Sequence, residues 1–245
     1  MENNVTKAIC FDLDDTVIFD FCTPYENRKI IEELVSFTKN GYEVVVNSAR
    51  SLEKIFQVLP TLENNYSKIV IIADSGQEIV SHGSRDLDWA LYLDTIPKID
   101  QIVVGIVTNI LSKNSITFHL TNHINDVYAN IKVNTPLTLK IESDINEALN
   151  FTGFFVKSGY DNIKLVSVLV NKGTAYMWWK QHYGRIIFDI GIGNGVLDKL
   201  FINCCRRKYL INYKGKRDSK KYIYRDICNY DELQIFIDDL SGIYR

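Results

Sequence analysis

The stretch Ala8-Ile9-Cys10-Phe11-Asp12-Leu13-Asp14-Asp15-Thr16-Val17 decides the reading of this chain. Residues 7–11 form a short apolar run that ends in acids, the pattern of a buried strand that delivers side chains at its carboxyl end. Open α/β sheets bind ligands at that end of their strands, so Asp12 and Asp14 stand where chemistry is usually done. Two residues apart, they can face one way along an extended chain, although a turn is expected to begin at Leu13. Taken alone, the pair reads equally well as helix-capping aspartates after a strand.

Outward from this strand, residues 25–37 carry Ile30, Ile31, Leu34, Val35 and Phe37 at helical spacing after Pro24, with Gly41 as a C-terminal stop. Residues 42–46 then read as a second buried strand, which completes a strand, helix, strand unit of a parallel sheet. Ser51 can cap a helix that runs to about Leu59, with Pro60 at its end. Residues 69–73 give a third apolar strand, the turn Asp74-Ser75-Gly76 follows, and residues 77–80 return as a strand. Near the other end, residues 186–190 and 209–211 repeat the buried-strand pattern behind an amphipathic helix over 174–182. Residues 1–80 and 169–245 are therefore expected to form two parts of one α/β core, a doubly wound, mainly parallel sheet of Rossmann-like type.

The middle differs. In residues 81–168 the strands alternate apolar and polar positions, as in Ile116-Thr117-Phe118-His119-Leu120 and Phe154-Phe155-Val156-Lys157. Alternation marks an antiparallel sheet with one wet face. Helices fit 99–111 and 145–149, so this segment is expected to be an inserted α+β domain.

At 245 residues, 46% of them hydrophobic and 24% charged, the chain has the composition of an ordinary globular protein and can bury a sizeable core. Its net charge of -2 gives no global attraction to nucleic acid or to an anionic membrane, and neither is expected as a partner. One stretch stands apart: residues 206–221 hold Arg206, Arg207, Lys208, Lys214, Lys216, Arg217, Lys220 and Lys221 against the single acid Asp218. It reads as a solvated hairpin in preference to a binding patch. Five cysteines, odd in number and without paired two-residue spacing, suggest reduced thiols in place of a disulfide framework or a zinc cage. The N-terminus lacks a basic segment followed by an apolar one, and no apolar run reaches the roughly 18 residues of a membrane span, so a cytoplasmic protein is expected.

Four ordered motifs give the chain a resemblance to the haloacid dehalogenase superfamily, in particular to its phosphatases whose inserted cap follows the third strand, a group that includes sugar-phosphate phosphatases. The first, residues 11–17, resembles that family's nucleophile loop, which implies Asp12 as the site of an aspartyl-phosphate and Asp14 as general acid, then general base. The second, Val44-Val45-Val46-Asn47-Ser48-Ala49-Arg50, ends a strand in a hydroxyl residue and implies Ser48 as a phosphate donor. The third, Asn171-Lys172-Gly173-Thr174-Ala175, is similar to the helix opening after the cap and implies Lys172 as the phosphate-binding ammonium. A helix start disfavours cations, so a lysine placed there leans toward function. The turn at residues 74–79 resembles the one that precedes the cap in this group.

The fourth motif departs from the pattern. Gly193-Asn194-Gly195-Val196-Leu197-Asp198 aligns with a Gly-Asp-x-x-x-Asp metal loop, with Asn194 in the place of the first acid and Asp198 matching the second. An amide oxygen binds Mg²⁺ with one less negative charge than a carboxylate and weakens the site. Three readings follow: an enzyme with weakened metal binding, a silent binder of a phosphorylated ligand, or a chain in which a native aspartate has been exchanged. Retention of Asp12, Asp14, Ser48, Lys172 and Asp198 favours activity.

The resemblance thus implies a Mg²⁺-dependent phosphatase acting on a small phosphorylated metabolite, a sugar phosphate by preference, with a phosphomutase as the weaker alternative. Phosphoester hydrolysis needs a nucleophile, a proton donor for the leaving oxygen and positive charge for the phosphoryl oxygens. The metal is expected to bind an Asp12 oxygen, the Asp14 backbone carbonyl, Asp198 and Asn194. The inserted domain is expected to close over the substrate, with His119, His123, Lys157, Tyr160 and Lys164 as its candidate polar contacts. The adjacent Trp178 and Trp179 lie about 100° apart on a helix, so only one can be fully buried.

Overall fold

A computed structural model describes residues 6–120, 127–159, 162–183 and 186–242. The chain begins with β1 (Thr6–Phe11), α1 (Pro24–Ser36), β2 (Tyr42–Asn47), α2 (Leu52–Val58), α3 (Pro60–Asn64), β3 (Val70–Ala73), β4 (Glu78–Ser81), β5 (Ser84–Arg85) and α4 (Leu87–Thr95). It continues through α5 (Gln101–Lys113), β6 (Phe118–Leu120), β7 (Tyr128–Val133), α6 (Leu139–Leu149), β8 (Phe154–Ser158) and β9 (Asn162–Ser167). The final part is α7 (Lys172–Tyr183), β10 (Ile186–Gly193), α8 (Asp198–Ile202), β11 (Arg207–Ile211), β12 (Ile223–Arg225) and α9 (Tyr230–Gly242). Two compact units result, one from Met1–Ala90 with Lys172–Arg245 and one from Leu91–Asn171.

In the first unit, eight strands form one sheet in the order β12-β11-β10-β1-β2-β3-β4-β5. The pairings from β12 through β3 are parallel, and β4 and β5 turn back antiparallel. This is the doubly wound α/β architecture expected from the apolar runs. β1 lies in the middle, where both faces are covered, and Ala8, Ile9, Cys10 and Phe11 are fully buried. Each large side chain buried there contributes about 1.5–3 kcal/mol, which is why a central parallel strand is a continuous apolar run and not an alternating one.

Helix α1 starts at a capping box: the Thr23 hydroxyl accepts from the Glu26 N–H, and the Glu26 carboxylate accepts from the Thr23 N–H. Pro24 at the first turn costs no hydrogen bond, because that N–H has no partner within a helix. The stop at Gly41 is a left-handed residue, φ 77°, which glycine adopts without steric cost.

The second unit has an antiparallel sheet in the order β6-β7-β9-β8. Ala129, Ile131 and Val133 of β7 and Ile163 and Leu165 of β9 pack with Val103, Val107 and Leu111 of α5 and with Ile145 and Leu149 of α6. The intervening Asn130, Lys132 and Lys164 lie on the other face, as period-two alternation requires. Lys157 of β8 pairs with Glu142 at 3.2 Å, and His119 is exposed on β6. His123 and Tyr160 lie outside the described residues.

One sequence expectation needs correction, and two helices were missed. The segment from residue 81 is read with helices at 99–111 and 145–149, and Leu87–Thr95 forms a further one, α4. The basic stretch is not a hairpin: β11 and β12 pair in parallel, so the intervening residues are a crossing connection. Helix α9, with Leu233, Phe236, Ile237 and Leu240 buried, went unrecognised although its apolar spacing is helical. Among the described residues, no helix is long and apolar enough to cross a membrane.

Removing the α1 cap tests this local account. Thr23→Ala should lower the unfolding free energy by about 1 kcal/mol in urea titrations with an unchanged slope; no loss would mean that the capping box is energetically idle.

Candidate active site

Parallel register sets the site. Phe11 of β1 lies opposite Val46 of β2 and Ile192 of β10, so the next residues along, Asp12, Asn47 and Gly193, leave the sheet together at its carboxyl edge. The Asp12 N–H still donates to the Ile192 carbonyl at 2.9 Å, which anchors Asp12 to the end of the strand.

Lys172, the first residue of α7, brings three of the expected residues into direct contact. Its ammonium donates to Asp12 Oδ1 at 2.6 Å and to Asp198 Oδ1 at 2.7 Å. All three side chains are buried, with residue exposures of 6% for Asp12, 4% for Lys172 and 3% for Asp198. Asp12 Oδ2 accepts from the Thr16 hydroxyl at 3.3 Å. Asp198 Oδ2 accepts from the N–H groups of Asn194 and Gly195 at 3.1 and 2.7 Å, so Asn194 joins the cluster through its backbone.

The electrostatics follow from these partners. Burial favours the neutral amine of Lys172, but Asp12 and Asp198 outweigh it and hold the ammonium above its ordinary range. Burial also acts against both carboxylates. For Asp12, burial and then repulsion by Asp198 exceed the attraction of Lys172, and its pKa is pushed up to about 7. Asp198 shares the same ammonium yet is held below the usual range, because two backbone N–H groups add to it. Two buried acids against one buried cation leave an excess negative charge on the Asp12 side.

The elements beneath the cluster are constrained to fit it. Asn47, fully buried at the end of β2, donates from Nδ2 to the Lys172 carbonyl at 3.0 Å and so fixes where α7 begins. Gly193 has no room for a side chain, since a Cβ there would overlap that of Asp198. The sequence reading assigned roles to neither residue. A polar residue closing the apolar run Val44-Val45-Val46 was the available signal for Asn47.

Ser48 and Asp14 sit beside the triad without touching it in the same way. Ser48 is fully buried, and its Oγ accepts from the Arg50 N–H at 3.1 Å, a bond that leaves the hydroxyl hydrogen to be donated elsewhere. Asp14 points to Arg50: Nη2 lies 2.6 Å from Oδ1, and Nε lies 3.1 and 2.9 Å from the two oxygens. Arg50 is thus a second residue whose importance the sequence reading missed.

The residue types at this edge suit a hard cation, because the Asp12 carboxylate, backbone carbonyls and the side-chain amide of Asn194, which the structure ties to Asp198 through its backbone N–H, are all oxygen ligands. Excess negative charge at Asp12 would be offset by such an ion. Among the described residues no three His, Cys, Asp or Glu side chains form a cage, so amide and carbonyl oxygens would have to complete the shell.

Two of the helix expectations also meet their geometry here. Trp179 is buried, whereas Trp178 is partly exposed, donates from Nε1 to Asp86 at 3.1 Å and stacks on His182 with centroids 4.0 Å apart.

Comparison with known proteins adds the fold's relatives. No protein-family model matches this chain, and no curated protein does. Solved structures do match along its length. Sucrose-phosphatase from Synechocystis, in complex with sucrose and phosphate, has a TM-score of 0.66 at 16% identity over 96% of this chain and 97% of that one. The trehalose-6-phosphate phosphatase C-terminal domain of C. albicans gives 0.61 at 14% identity over 97% and 92%. A haloacid dehalogenase-like hydrolase from Bacteroides thetaiotaomicron gives 0.61 at 16% over 97% and 99%. At such identities the likeness establishes the fold alone: this chain has the α/β fold that these three structures share.

The charge imbalance at Asp12 predicts a pH dependence. A carboxyl with a raised native pKa binds protons that the unfolded chain has released, so its contribution to stability fades as pH climbs from about 4 to about 8. In metal-free buffer the protein should lose thermal stability over that range relative to Asp12→Asn. Parallel melting curves across the range would contradict the burial-and-repulsion account.

Proposed function

We propose that this protein is a Mg²⁺-dependent phosphatase that hydrolyses a small phosphorylated metabolite, a sugar phosphate by preference, through an aspartyl-phosphate on Asp12. The observation that carries the reading is the buried Lys172 ammonium held between Asp12 and Asp198 at the carboxyl edge of the sheet. A carboxylate can attack a phosphoryl group only where positive charge offsets their mutual repulsion, and a lysine buried against two acids supplies part of that charge. The similarity of the fold to sucrose-phosphatase and to a trehalose-6-phosphate phosphatase supports the sugar-phosphate preference.

In this mechanism an Asp12 oxygen attacks phosphorus in line while Ser48 donates its hydroxyl hydrogen to a phosphoryl oxygen and Lys172 neutralises another. The bond from phosphorus to the leaving oxygen breaks, and Asp14 gives that oxygen a proton. Both Asp14 oxygens are engaged by Arg50, so proton donation requires Asp14 to leave that pair and take up a proton from solvent first. Asp14 then takes a proton from water, which attacks the aspartyl-phosphate and frees Asp12 and inorganic phosphate. Asp12, the Asp14 carbonyl, Asn194 and Asp198 are the residues that would hold Mg²⁺, with Asp198 already committed to Lys172 and two backbone N–H groups. When bound, the ion supplies positive charge for the phosphoryl oxygens.

A second reading, a silent binder of a phosphorylated ligand, is favoured by Asn194, which contributes no charge where the fourth motif calls for an acid. One assay separates the two. Phosphate release from p-nitrophenyl phosphate should require Mg²⁺, vanish to background in Asp12→Asn and fall by about a hundredfold or more in Lys172→Met. Asn194→Asp should bind Mg²⁺ more tightly by calorimetry. Activity in Asp12→Asn would overturn the nucleophile assignment, and activity only in Asn194→Asp would favour the silent binder.

A further inference from the structure

The connection between β11 and β12 is strongly basic. Residues 212–222 carry Lys214, Lys216, Arg217, Lys220 and Lys221 against Asp218, a balance of +4, so the remaining residues together carry -6 within the net -2. Lys214, Lys216, Arg217, Lys220 and Lys221 are all exposed. Arg217 is neutralised by Asp226, and no acid faces Lys214, Lys216 or Lys220 among the contacts of the described residues.

This connection is held in shape by phenols and amides, leaving its lysines unneutralised. The Lys199 ammonium donates to the Tyr213 hydroxyl at 2.7 Å and sits 3.9 Å above the Tyr213 ring. Tyr222 donates to Asn203 at 2.7 Å, and the Asp218 N–H donates to the Tyr224 hydroxyl at 2.6 Å. At its base, Asn212 exchanges two 2.7 Å bonds with Ile227.

Its place matters as much as its charge. β11 runs parallel to β10 and β1, so residue 212 leaves the sheet at the same carboxyl edge as Asp12 and Gly193. Lys199, which grips Tyr213, is the residue after Asp198 on α8. The connection that carries the lysines therefore leaves the sheet at the same edge as the site, within one unit.

We infer that the Lys214–Lys220 connection is a second anion subsite, and that the substrate is a compact molecule with two phosphates, one placed at Asp12 and the other met by Lys214, Lys216 and Lys220. This rests on the phosphatase reading above. A compact bisphosphate fits better than an extended polyanion, because the cations occupy one connection and the rest of the surface is net negative and repels a long anionic chain.

The test compares the native protein with the triple variant Lys214→Gln, Lys216→Gln, Lys220→Gln. Native kcat/KM for fructose 1,6-bisphosphate should exceed that for fructose 6-phosphate by about tenfold, the order expected of a few exposed charges acting through solvent. The triple variant should bring the ratio close to one while its p-nitrophenyl phosphate turnover stays unchanged. A native ratio near one, or a ratio that survives the triple substitution, overturns the subsite. Calorimetric binding of the same two sugar phosphates is measured in parallel. If no ester is hydrolysed, the phosphatase reading fails, yet a bisphosphate affinity lost in the triple variant still supports the anion site, and equal affinities reject it.

Discussion

An ammonium buried between two carboxylates is the constraint on which the rest of the site depends. Removing one member of a buried ion cluster leaves an uncompensated charge and typically costs 3–5 kcal/mol, whereas an apolar replacement of the whole cluster can be neutral. Stability alone therefore gives little reason to keep Lys172, Asp12 and Asp198 together. The surrounding structure nevertheless does much to hold them: Asn47 fixes the start of α7, Gly193 yields its side-chain space to Asp198, and two N–H groups of the following turn orient the Asp198 carboxylate. Such provision is what a preorganised electrostatic site requires, since charges fixed in place need not reorganise when a reacting group arrives.

The central sheet was legible because burial on both faces of a parallel strand leaves an unbroken apolar run. Residues 7–11 and 42–46 show it, and their observed strands are Thr6–Phe11 and Tyr42–Asn47. The cap of α2 was equally readable, since Ser51 accepts a backbone N–H that would otherwise lack a partner, whereas at α1 only Pro24 was read and Thr23 proves to be the cap. The connection between β11 and β12 was not. Strand direction is set by which neighbour a strand pairs with, and a short basic segment between two apolar runs is compatible with either a hairpin or a crossing.

Within the site, the sequence singled out the residues that carry charge and could not show how those charges pair. Lys172 drew attention because a cation opening a helix is locally unfavourable, and its partners prove to be the carboxylates of distant segments. Asn47 and Arg50 passed unnoticed for the opposite reason: an amide at a strand end and an arginine in a turn are locally unremarkable, and their contacts with Lys172 and Asp14 span 125 and 36 residues. Local propensity has no access to such pairings, which exist only once β1, β2 and α7 are in place.

Arg50 also does two jobs with different parts of itself. Its main chain donates to the serine at the end of β2, and its guanidinium grips the carboxylate that follows the end of β1. The two turns are consequently geared together through one residue, so that a displacement of either is felt at once by the other.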